Sequence, residues 1–315
     1  MAISNKWKED NYKFVGKAFD YAYADRSNQL SEIMGEVTTD SVDYELKGRG
    51  GYGPLQPYEG RVLTMGEQKR GFNTIVYPQE FSLSDQVDYI DYKRDKSGEL
   101  KRVGSALGDS AKLTVYQHKL QLFEHAFDSN YVGGDQKSWA ATDHPVASKA
   151  GVGRKRVADD EAGTFSNLLT DQLSVAAINK AQYLSMAFVT PGGLPYMCEY
   201  DMVLVSPNLQ EKARKLFGSH RQLMPTKDPE SDYNAANAVY DIVWMIVGNG
   251  RDGLKGNQWA ICDKRLMKQQ VVTVFNQKPI VFQTDMDNPL VDLYTAYAAW
   301  GSGWGDARMI TFSNP

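Results

Sequence analysis

Apolar side chains recur along this chain with two periods, and the switches between them predict its elements. Within the first 30 residues Tyr12, Val15, Phe19 and Tyr23 fall at helical spacing, which predicts an amphipathic segment that packs against something else. Between residues 36 and 58 the composition turns to Thr, Asp, Gly and Pro, and Gly48, Gly50, Gly51, Gly53, Pro54 and Pro57 interrupt any regular element. Extended runs over 60–65 and 71–77, joined by Gly66-Glu67-Gln68-Lys69-Arg70, predict a long hairpin. Its large apolar residues are few, and a two-stranded ribbon alone is marginal in water, so it is expected to lie on a neighbouring subunit.

The clearest helix is predicted over 109–128. Asp109 stands as N-cap, and Leu113, Tyr116, Leu120, Phe123 and Phe127 follow at spacings of three and four, with Gly133-Gly134 as a stop. At 1.5 Å per residue this is a rod of roughly 30 Å. A second helix is predicted over 170–186, with Thr170 as its cap, ended by Pro191-Gly192-Gly193. Met202-Val203-Leu204-Val205 reads as a buried strand; Ser206 then caps a helix that starts at Pro207 and is closed by Gly218. Residues 220–237 are polar and predict a long exposed loop. The last third predicts strands over 239–247, 258–262, 271–275, 280–283, 293–300 and 307–312, with Gly301, Gly303 and Gly305 making the last two a hairpin. Helices in the middle and strands at both ends imply an α+β architecture in which the chain leaves one lobe and returns to it.

Composition narrows the function classes. With 315 residues, 42% of them apolar and 23% charged, the chain is globular and long enough for one large domain or two smaller ones. No apolar run reaches the roughly 18 residues a spanning helix needs, and the N-terminus lacks a secretory apolar stretch, so folding in a cytosol is expected. A net charge of -4 gives no general excess of cations for phosphate binding. The basic run Arg154-Lys155-Arg156 is followed at once by Asp159-Asp160-Glu161 and reads as a solvated loop. Cys198 and Cys262 have no CxxC partner and read as small core residues.

Candidate chemistry is sparse. Gly48-Arg49-Gly50-Gly51-Tyr52-Gly53 satisfies GxGxxG, but Pro54 and Pro57 follow where a dinucleotide site needs a helix. His118 and His125 are seven apart, about 10 Å along a helix, too far to share a metal. Asp143 precedes His144 and could orient it as in a catalytic pair, although a turn before Pro145 explains the same residues. Asp285-Met286-Asp287 could hold a hard cation, and an exposed turn accounts for it as well. No catalytic residue, cofactor or metal is assigned.

Several stretches stand in a characteristic order: Pro54-Leu55-Gln56 and Glu59-Gly60; Phe123-Glu124-His125-Ala126-Phe127; Gly134-Asp135, Trp139 and Asp143-His144-Pro145. Then come Asn167-Leu168-Leu169, Leu204-Val205-Ser206-Pro207 through Ala213 to Leu216, and Trp259-Ala260-Ile261-Cys262-Asp263. Over residues 38–312 this order resembles the Hong Kong 97-type capsid fold, in particular the major head subunits of the Mu-like group of tailed bacterial viruses. The resemblance implies an N-terminal arm (1–36) and an extended loop (55–77). It implies a peripheral domain (37–54 and 78–167) with its spine helix at 109–128, an axial domain (168–281) and a return to the periphery (282–315). Subunit contacts are then expected at the loop tip (Met65, Glu67, Gln68, Lys69, Arg70), on the arm (Trp7, Tyr12, Phe14, Phe19) and at an axial loop (Lys227, Asp228, Glu230, Asp232). Some relatives crosslink subunits through a lysine; here Lys69 is expected to be a solvated tip residue.

The function so implied is geometric. Copies form pentamers and hexamers that close an icosahedral shell around double-stranded DNA, held by weak non-specific contact. A separate scaffolding protein and a portal are expected partners, with a decoration protein also possible. The location is the virion capsid, assembled in the host bacterial cytoplasm. Gly50-Gly51, Gly133-Gly134 and Gly192-Gly193 are the expected joints between slightly different subunit environments. The alternatives are an encapsulin-type protein compartment and a soluble oligomeric enzyme with a scattered site.

Overall fold

The computed structural model describes residues 6–24, 29–48, 50–55, 58, 60, 69, 71–90, 98–146, 163–218, 239, 242–284 and 290–315. The chain forms two compact units, each assembled from three separate stretches, so it does leave each lobe and return.

The first unit comprises Met1–Tyr44, Val76–Lys119 and Val272–Ser302. Its sheet has four strands in the order β1 (Gly35–Thr38), β11 (Val271–Thr284), β12 (Val291–Trp304), β4 (Gln79–Asp88). β1 runs parallel to β11, and β12 pairs antiparallel with all ten residues of β4. Helix α1 (Lys6–Ala24) and most of helix α2 (Glu99–Glu124) also belong here. Val15 and Phe19 of α1 share a core with Leu100 and Leu107 of α2, Val87 of β4, Val281 of β11, and Tyr294 and Ala296 of β12.

Helix α2 begins ten residues before the expected Asp109 cap. Gly104 and Gly108, which precede the expected cap, lie inside it because α1 crosses there at backbone contact. A Cβ on Gly104 would stand 2.6 Å from the Val15 carbonyl oxygen, and one on Gly108 2.6 Å from that of Phe19. The expected breaks in the last strands are also absent. The runs 271–275 and 280–283 are one strand of 14 residues, and β12 continues through Gly301 and Gly303 to Trp304. Gly301 is a glycine because the Tyr77 carbonyl would lie 2.8 Å from its Cβ. The predicted final hairpin therefore does not form: β12 stays in this sheet, and β13 (Ile310–Ser313) joins the other unit.

The second unit comprises Glu45–Ile75, Leu120–Val271 and Gly303–Pro315. Its sheet runs β7 (Leu168–Leu169), β13, β10 (Trp259–Cys262), β8 (Met202–Val205), β9 (Val243–Ile246). Every residue of β8, β10 and β13 is buried, as expected for the unbroken apolar runs of β8 and β10, covered on both faces. Helix α3 (Val175–Met186) is capped by Ser174, whose side chain accepts the Ala177 N–H, and not by Thr170. After β8, Pro207 opens a short 3-10 turn and helix α4 (Gln210–Phe217) ends at Gly218, as predicted. Ser206 makes no side-chain cap; its hydroxyl donates to the Gly256 carbonyl at 2.6 Å. Helix α5 (Lys264–Gln270) follows β10, with Asp263 accepting the Leu266 N–H.

A separate ribbon joins β2 (Tyr44–Lys47) to β3 (Asn73–Val76). It continues as Gly48 N–H donates to Phe72 O at 2.7 Å, and Gly51 and Lys69 exchange two hydrogen bonds of 2.9 Å. Among the described residues the run at 71–77 thus pairs with 44–48; of the expected partner strand at 60–65, residues 61–65 lie outside the described residues. The glycines that looked like a break admit a close ladder: a Cβ on Gly48 would meet Phe72 O at 2.6 Å.

Candidate functional site

Gly134-Asp135, Trp139, His144-Pro145 and Asn167, from the stretches that stood apart in the sequence, converge on one buried knot in the second unit. Strand β5 (His144–Pro145) pairs antiparallel with β6 (Thr164–Phe165), setting the His144 ring on Phe165 at 5.1 Å between centroids. The imidazole has no exposed surface. Its Nδ1 lies 2.6 Å from Asp135 Oδ2 and its Nε2 3.1 Å from Asn167 Oδ1.

Asn167 holds the knot together. Its Oδ1 also accepts the Ala141 N–H at 2.9 Å, while Nδ2 donates to the carbonyls of Trp139 at 2.8 Å and Ala307 at 3.2 Å. Those contacts fix the amide orientation, so His144 Nε2 faces an acceptor and donates to it. Next to it, Arg308 is buried, with its guanidinium 4.9 Å from the Phe165 ring and 5.3 Å from that of Tyr196. Arg308 also pairs with Asp306 at 3.1 Å and donates to Val146 O at 2.5 Å. Asp143, one candidate partner of His144, pairs with Lys137 instead, and that cation holds its carboxyl below the usual range.

The arrangement is a buried clasp. Both imidazole nitrogens are engaged, and the hollow beside Asp135 and Arg308 measures about 10 Å³, room for about one water. Trp139 stacks on Trp304 at 5.8 Å, and both Gly133 and Gly134 are closed against neighbours. A Cβ on Gly133 would stand 2.2 Å from the Trp304 ring, and one on Gly134 2.2 Å from Asn73 O. Gly192 likewise meets Tyr52 O at 2.2 Å. Gly133, Gly134 and Gly192 are close-packing positions.

The remaining candidates are dispersed. On α1, Trp7 lies in the first turn. Phe14 is half exposed, and Tyr12 is partly exposed with its hydroxyl donating to Val281 O at 3.3 Å. Phe19 is fully buried in the core of its own unit, which corrects its assignment to a neighbour. At the loop, Lys69 is paired through its backbone to Gly51, whereas Met65, Glu67, Gln68 and Arg70 lie outside the described residues. So do Lys227, Asp228, Glu230 and Asp232, and also His220, Arg154-Lys155-Arg156, Asp159-Asp160-Glu161 and Asp285-Met286-Asp287. His118 wedges edge-on against Phe81 and Trp300, and burial lowers its pKa. His125 stacks on Tyr131. Burial pushes the Cys198 thiol up to about 11. Among the described residues no three His, Cys, Asp or Glu side chains are grouped to hold a metal, and no helix is long and apolar enough to cross a membrane.

Solved structures with the same chain path are shells. The procapsid of bacteriophage JBD30 matches 99% of this chain and 76% of its own, with a TM-score of 0.52 at 15% identity. The capsid of cyanophage P-SCSP1u matches 91% and 88%, with a TM-score of 0.56 at 11% identity. The chain has the Hong Kong 97-like capsid fold. A virus-like particle from Pyrococcus furiosus shares that fold over 96% of this chain and 99% of its own, with a TM-score of 0.51 at 7% identity. No family model and no curated protein matches the sequence.

Within this fold the residues missed by sequence reasoning are Asp135 and Asn167 as partners of His144, and Arg308. Their signal was present in part, because Gly134-Asp135, Asn167 and His144 all lie in the stretches that carried the resemblance. What linear reading lacked was their convergence.

Proposed function

We propose that this chain is the major capsid subunit of a tailed bacterial virus, of the Mu-like head subunit group, and that its copies form pentamers and hexamers closing an icosahedral shell around double-stranded DNA. One observation carries the reading: the Hong Kong 97-like fold accounts for almost the whole chain, up to 99% of it, and the structures that share it are capsids and procapsids. The ribbon of residues 44–51 and 69–76 supports the expected extended loop, and the half-exposed Phe14 on α1 suits an arm that meets a neighbour. The division into arm (1–36), loop (55–77), peripheral and axial domains is part of this proposal, as are the contact roles of Lys69, Trp7 and Tyr12. A scaffolding protein, a portal, a decoration protein and assembly in the bacterial cytoplasm complete it.

Electron microscopy of the purified chain, alone and co-expressed with a scaffolding protein, tests the reading. Capsomers or closed shells are expected. A stable dimer or tetramer that never assembles under either condition overturns it in favour of a soluble oligomer. An encapsulin-type compartment is the second reading, favoured by the likeness to a virus-like particle. Shells isolated from the native source that hold protein cargo and no DNA would select it.

A further inference from the structure

β4 is the outermost strand of its sheet. It is paired along ten residues with β12, and among the described residues no strand pairs with its other edge. In an antiparallel ladder alternate residues turn their N–H and C=O away from the partner, so about five residues of this edge have no ladder partner. Long natural edges are commonly blunted by Lys, Pro or a bulge. This one, Gln79-Glu80-Phe81-Ser82-Leu83-Ser84-Asp85-Gln86-Val87-Asp88, has neither Lys nor Pro, and its three charges are all acidic. None of the three carboxylates forms an ion pair with a described residue. Asp85 accepts the Gln86 N–H at 2.9 Å, a contact made within the strand itself.

The sheet beside this edge is incompletely filled. Phe81, Leu83 and Val87 alternate onto the face that packs against α2. A hollow of about 260 Å³ lies there, lined by Phe81, Leu83, Leu107, Ala111, Ala298 and Trp300. Leu83 remains 50% exposed, and the buried Trp300 indole N–H has no partner among the described residues.

We propose that the free edge of β4 receives an extended segment of a different protein, alternating apolar with Lys or Arg residues, as a fifth strand. Main-chain hydrogen bonds supply the pairing and alternate side chains the selectivity. The apolar set of the incoming strand covers Leu83 and the mouth of the hollow. Its basic set meets Glu80 and Asp88 on the opposite face. Pairing of two copies edge to edge about Ser84, which keeps the apolar faces together, would set Glu80 opposite Asp88, and like charges in cross-strand positions are destabilising. The inference is independent of the shell reading.

The test is fluorescence anisotropy of the full chain with a labelled synthetic decapeptide alternating Lys and Val, at low salt. Saturable binding is expected, weakened at least tenfold in a Glu80→Lys/Asp88→Lys double variant whose unfolding midpoint matches wild type. Exposed Ser84→Lys, a single change, should weaken it in the same direction. A peptide of equal charge with Pro in place of Val should bind at least tenfold more weakly, because it cannot complete the ladder. Equal binding of the proline peptide, equal binding by the double variant, or no saturable binding overturns the proposal. So does a sedimenting dimer of the chain that Ser84→Lys dissociates.

Discussion

Lys119, 1% exposed on α2, donates from Nζ to Glu36 Oε1 at 2.8 Å, while Glu36 on β1 stays 42% exposed. The asymmetry makes the two partners unequal. Removing Glu36 strands a buried cation, so Glu36→Ala should destabilise by about 3–5 kcal/mol. Lys119→Met keeps most of the volume and releases Glu36 to water, so it should change stability by less than about 1 kcal/mol or raise it. Urea unfolding of both variants checks the prediction, and a larger loss for Lys119→Met contradicts it.

Gly108 runs against its own helix propensity. In an exposed helix interior Gly→Ala gains about 1 kcal/mol. Here the new methyl would meet the Phe19 carbonyl at 2.6 Å and the Ala22 Cβ at 3.0 Å, both on α1. Gly108→Ala should therefore destabilise, by about 1–3 kcal/mol. Limited proteolysis should cut between α1 and the sheet earlier than in wild type; a stabilised variant would show that α1 does not cross there.

Asn167 ties four groups at once, and an isosteric exchange separates its charge from its shape. Asn167→Asp would set an oxygen against the carbonyls of Trp139 and Ala307. The variant should lose about 2–5 kcal/mol from unpaired buried acceptors. Thermal unfolding measures this, and the near-ultraviolet dichroism of Trp139 and Trp304 should weaken with it.

Burial, with the Glu36 carboxylate adding to it, raises the Tyr23 hydroxyl to about 12. The folded state therefore keeps this proton after the unfolded chain has lost it. The contribution is fully present below about pH 10, falls as pH rises from there, and is exhausted above about 12. Tyr294, raised by burial and by its bond to Asp292, acts in the same direction. Tyr23→Phe should flatten the decline in stability between pH 10 and 12, and an unchanged slope would remove Tyr23 from the account.

Much of the second unit's sheet was legible in advance. Runs such as Met202-Val203-Leu204-Val205, the Pro207 start and the Gly218 stop act over a few residues, and periodicity reports such local preferences directly. The sequence by itself determined the α+β class, the long helix, the buried strands and the lack of a net excess of cations. Tertiary structure decided the partners. The long helix looked as if it began at Asp109 because only a crossing helix, distant in the chain, reveals why Gly104 and Gly108 exclude a Cβ. Adjacency made Asp143 only a candidate partner of His144, whereas Asp135 reaches the ring through a turn and Asn167 through the returning chain. Propensity is a property of neighbours in sequence; close approach and hydrogen bonding between distant segments exist only once the chain has folded.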